Sequence, residues 1–168
     1  LLLCLGVALG QSIAQNHIEW RTCDRNTFAF RYPSNWQLDV SGIEGTAFYL
    51  EAPLSSKKDK FKENVNLVIA DLREFEIDLE QYAHLCLTGM EQQVKDFKLV
   101  SSEKHQQHGL EYMEVIYSAD NKGTPMLVFQ RYWYKDKKGY SMTLSSEAKS
   151  FQDYKQIVIE MMDSLQIR

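Results

Sequence analysis

Through most of the chain, apolar and polar residues alternate with period two, the signature of half-buried strands. Thr27-Phe28-Ala29-Phe30-Arg31-Tyr32 predicts a strand closed by Pro33-Ser34-Asn35, where the proline ring fixes a turn and pushes Tyr32 into an extended conformation. Trp36 to Val40 alternates again and stops at Ser41-Gly42. Thr46 to Glu51 follows, and Asn64 to Ala70 is apolar enough for a central strand. Beyond Phe97-Lys98-Leu99-Val100 the pattern predicts a long hairpin turning near His108-Gly109, with Leu110 to Ser118 as its return strand. A second hairpin runs from Met126 to Tyr134, turns through Lys135-Asp136-Lys137-Lys138-Gly139 and returns from Tyr140 to Ser145.

Two segments switch to steps of three and four. Asp78 with Gln81 forms a capping-box pattern, and Leu79, Tyr82, Ala83, Cys86, Met90 and Val94 then mark one face of a helix. Ser150 is placed to cap a second helix, whose buried face is Phe151, Tyr154, Val158, Met161 and Leu165. Strands in runs with helices inserted singly indicate an α+β fold on a mainly antiparallel sheet, with the helices on one or both faces. No repeat, glycine-serine linker or low-complexity tract divides the chain, so residues 15–168 read as one domain.

The first fourteen residues break this pattern. Leu1 to Gly10 is uncharged and apolar, and Ser12-Ile13-Ala14 sets small residues at both cleavage-determining positions. This predicts a secretory signal peptide over residues 1–14 and a periplasmic or extracellular protein. The apolar run is about half of the roughly 20 residues that span a bilayer. A lipoprotein signal at Cys4 fits less well, because a leucine precedes it and apolar residues follow.

Composition narrows the classes of partner. The chain is 168 residues long, 44% hydrophobic and 25% charged, with a formal charge of -4, which gives no overall attraction for nucleic acid. Export permits a disulfide between Cys23 and Cys86, although Cys86 on an apolar helix face can equally serve as a small free hydrophobe. His105 and His108 form an H-x-x-H beside a turn, a candidate site for Zn or Cu with Glu103 or Glu111 as third ligand; the other reading is two polar loop residues. His84, four residues after Glu80, reads as a surface pair on the first helix.

No G-x-S-x-G, S-x-x-K, P-loop or G-x-G-x-x-G occurs, and no cofactor is implied. The lysines Lys57, Lys58 and Lys60 in one loop, and Lys137 and Lys138 in the second hairpin turn, are local basic patches, the latter beside Trp133. Aromatics bordering a charged turn are the composition of a protein interface or ligand rim. The alternative is that one or other alternating set, Tyr132 with Tyr134 or Arg131 with Trp133, faces the core and the lysines protect strand edges.

The order of these segments resembles the PsbP-like (PsbP and DcrB) family of exported domains. The resemblance rests on Phe30-Arg31-Tyr32-Pro33-Ser34-Asn35-Trp36, Glu63 to Ile69, the helix opened by Asp78-Leu79-Glu80-Gln81-Tyr82, and Gly109-Leu110-Glu111-Tyr112. It continues through the hairpin from Gln130 to Leu144 and the closing helix ending Ser164-Leu165-Gln166-Ile167. It implies an α/β/α sandwich and an accessory module that binds a protein partner or a small ligand; no photosynthetic role follows from it. The competing class is a small exported enzyme or metal-dependent protein built on the His105/His108 turn.

Overall fold

Strand pairing in the computed structural model, which describes residues 18–168, follows the alternation seen in the sequence. The elements are β1 (Trp20–Asp24), β2 (Phe28–Pro33), β3 (Gln37–Asp39), β4 (Phe48–Glu51), β5 (Asn64–Asp71), α1 (Leu79–Gln93), β6 (Lys98–Gln107), β7 (Leu110–Asn121), β8 (Thr124–Lys135), β9 (Lys138–Glu147), α2 (Phe151–Asp163) and β10 (Gln166–Ile167). The signal peptide predicted over residues 1–14 lies outside the described residues.

A seven-stranded antiparallel sheet in the order β3-β4-β5-β9-β8-β7-β6 forms the body, and β1-β2-β10 make a separate three-stranded sheet. Both faces of the large sheet are covered. On one, α1 packs Leu79, Tyr82 and Ala83 against Val115, Tyr117, Val128 and Tyr132. On the other, α2 and the small sheet enclose Phe30, Phe48, Leu67, Phe129, Met142 and Val158. The α+β sandwich expected from the sequence is therefore present, with the small sheet sharing a layer with α2.

Three elements carried too little pattern to be predicted. β1 and β10 are short and take their pairing from β2. The two hairpins are also joined by a third, whose turn at Lys122-Gly123 has positive φ at both residues. Such a turn matches the twist of the strands it connects, and Asn121-Lys122-Gly123 was its one local signal. The capping box of α1 is formed as predicted: the Gln81 N–H donates to Asp78 Oδ1 and the Asp78 N–H to Gln81 Oε1, both at 2.9 Å. Ser150 differs from its predicted role. Its hydroxyl makes no cap bond and donates instead to buried Glu63 Oε1 at 2.7 Å, setting a carboxylate near the start of α2 where the helix dipole favours negative charge.

Gly139 shows how tightly α1 sits on the sheet. A Cβ at this position would lie 2.6 and 2.7 Å from Tyr82 Cε2 and Cε1, because that ring lies over the glycine. Tyr82 in turn meets Tyr132 edge-on at 5.8 Å. Gly139→Ala should lower stability by about 1–3 kcal/mol in a urea titration, and by much less in a Tyr82→Ala background, where the colliding ring is gone.

Candidate functional site

The pleat of β8 sorts the aromatic run. Phe129, Arg131 and Trp133 face α2, whereas Val128, Gln130 and Tyr132 face α1, so both alternating sets point into a covered face. Trp133 is only 5% exposed. It lies in register with Tyr112 on one side and Tyr140 on the other, and His105 extends the row to the edge strand. The His105 and Tyr112 rings stack at 5.3 Å, and Tyr112 and Trp133 lie 6.0 Å apart.

Where this row meets the small sheet, the surface opens into a groove of about 880 Å³. Its walls come from four places: β1 and β2, the β6–β7 turn, the end of β8, and the segment from α2 through β10. Trp133 contributes to its lining rather than projecting as an anchor. Ser164 begins the turn out of α2, and its Oγ accepts from the Arg31 N–H at 2.8 Å, taking a place on β2 that the two-residue β10 does not reach.

Beside the groove lies a charge cluster that the sequence did not reveal. Arg131, 4% exposed, donates from Nε to Glu114 at 2.9 Å and from Nη1 to Asp163 at 2.5 Å, with its guanidinium 4.6 Å from the centre of the Tyr112 ring. This ties β7, β8 and the end of α2 together. An Arg in a strand of aromatics carries no sign of its partners, because those partners come from distant parts of the chain. Arg131→Met should cost about 3 kcal/mol by urea denaturation, at the lower end for a broken buried pair because the two carboxylates keep some water. Replacing all three residues with apolar ones should recover most of that loss.

The candidate residues from the sequence are spread over several places. Lys57, Lys58 and Lys60 are exposed in the loop before β5, while Lys138 pairs with Asp71 at the far end of that strand, which is about 23 Å long at 3.3 Å per residue. The two lysine groups are not one patch. Lys137 Nζ is bound to Glu76 at 3.0 Å on the α1 side.

His105 Nε2 lies 3.5 Å from Glu103, whereas Glu111 pairs with Lys104 at 3.2 Å. Glu111 is opposite Gln106 and not His105, so the pleat sends it to the other face. His108 occupies the turn, with φ of 51°, and lines the groove. Among the described residues no three ligating side chains gather into a metal site.

Cys23 and Cys86 are free thiols in different core clusters, one on each side of the large sheet, so the permitted bridge is not made and Cys86 is the small free hydrophobe. Burial pushes both thiols up, which disfavours the reactive thiolate. Among the described residues no helix is long and apolar enough to cross a membrane.

The fold and the groove together define a small α+β sandwich with an open groove at one end of its large sheet. A family model for PsbP matches residues 22–167, and the chain belongs to the PsbP family. It is similar in fold to the protein of unknown function PA94 from Pseudomonas aeruginosa, at 15% identity and TM-score 0.64 over 89% of this chain and 97% of that one. CyanoP, the cyanobacterial PsbP of Synechocystis sp. PCC 6803, matches at 16% identity and TM-score 0.62, over 95% and 99%. LpqN of Mycobacterium tuberculosis, involved in cell envelope biogenesis, matches at 10% identity and TM-score 0.61, over 90% and 92%. A comparison with curated proteins finds no match.

Proposed function

We propose that this protein is an exported accessory domain, working by binding and not by catalysis, and that it holds a segment of a partner protein in the groove beside Trp133. The observation that carries this reading is the convergence of four separate parts of the chain on one open cleft of about 880 Å³. Several of its charged groups are committed to structure. Asp24 holds Arg168 at 2.7 Å, and Asp163 holds Arg131. Groups engaged in this way shape a surface; they are not poised to move protons. The apolar leader over residues 1–14 supports export, and LpqN, a protein of similar fold, is involved in cell envelope biogenesis.

Of the basic groups singled out in the sequence, Lys137 and Lys138 are at the same end of the sheet as the groove, and the loop of Lys57, Lys58 and Lys60 is at the other. A photo-crosslinking residue at His108, introduced in the native host, should give one discrete protein adduct in the envelope fraction, on a chain beginning at Gln15. The same residue at Lys58 should give none. Adducts from Lys58 alone, or from neither site, would overturn the assignment.

A further inference from the structure

The charges of the groove do not cancel, and the imbalance specifies what it takes. Of its two aspartates, Asp24 is answered by Arg168, whereas Asp163 shares Arg131 with Glu114, so that cluster keeps one negative charge. Two cations stand against it. Arg31 is exposed, and it makes no ion pair among the described residues; its guanidinium lies 5.6 Å from the centre of the Trp20 ring, which holds it without neutralising it. Lys135 has spent one of its three N–H donors on the Ile167 carbonyl and faces no carboxylate of its own among the described residues.

The two cations give the cleft a local positive excess on a protein whose formal charge is -4, so the attraction for an anionic ligand is confined to it. His108 at the rim adds a further donor. The lining includes Thr22 on β1 and Gly109 in the β6–β7 turn, so the groove is shared by the two sheets.

Building on the groove as the binding site, we propose that its occupant is an extended acidic segment of a partner protein, whose carboxylates meet Arg31 and Lys135. Arg31 supplies a planar fork suited to a carboxylate, and Lys135 a point charge with two free donors. Selection is by charge: a basic segment would meet the same two cations and be repelled.

The test uses the intact folded protein and fluorescence anisotropy of short labelled peptides. A peptide of alternating Glu and Ser should bind, with affinity falling as salt rises, and its Lys and Ser counterpart should not. Arg31→Glu should weaken binding at least about tenfold, Lys135→Gln should weaken it less, and Arg31→Lys should restore part of it. Circular dichroism matching the parent protein would show that each variant is folded. Equal binding of both peptides, no binding of either, or indifference to Arg31→Glu would overturn the proposal. So would displacement of the Glu peptide by succinate at equal carboxylate concentration, which would mark a small-anion site. If the His108 adduct forms but no acidic peptide binds, the charge assignment fails and the groove assignment stands; loss of the adduct with acidic binding intact would mean the reverse.

Discussion

β8 has no solvent face, and the rest of the architecture follows from that constraint. A strand buried on both sides needs a cover on each, so α1 must close over Val128 and Tyr132 while α2 and the small sheet close over Phe129 and Trp133. The polar members of the strand must then find partners inside the protein. Gln130 does so by donating to Thr143 at 2.9 Å and accepting from the Tyr132 hydroxyl, and Arg131 by binding two carboxylates. The separation of the two cysteines is a further result, since each belongs to a different covered face.

Arg131 links this core to the cleft. A buried guanidinium is tolerable only with its charge answered and its donors engaged. The residues that do so, Glu114 and Asp163, come from β7 and from the last residue of α2, so satisfying one charge also positions the turn that forms a wall of the groove. Asp163 therefore lines the cleft as part of a cluster that keeps a single negative charge. The same logic holds at the opposite wall, where Arg168 answers Asp24. Internal pairing offsets most of the carboxylate charge at the groove, and Arg31 with Lys135 outweigh the remainder.

The elements legible in the sequence were those with strong local periodicity. The face of α1 from Leu79 to Met90, its capping box and the turns at His108-Gly109 and Asp136-Lys137 all depend on neighbours a few residues away, whereas Val94, predicted on the same face, is the extended residue that ends the helix. β1 and β10 were illegible because five and two residues hold too little alternation to register, and because their partner is supplied by β2. Of the candidate site residues, Trp133 and His108 do reach the cleft. Arg31, at the centre of the proposed recognition, stood in the sequence only as the polar step of a strand.

By itself the sequence determined the α+β class, two of the antiparallel hairpins, the two amphipathic helices and the family, because periodicity and order along the chain are local properties. The tertiary structure decided which face each helix covers, that the lysine groups stand at opposite ends of β5, that Cys23 and Cys86 stay apart, and which charges neutralise one another. The physical reason is that charge pairing and burial depend on distance in space. Asp24 and Arg168 meet at 2.7 Å from opposite ends of the domain, and no pattern along the chain records that contact.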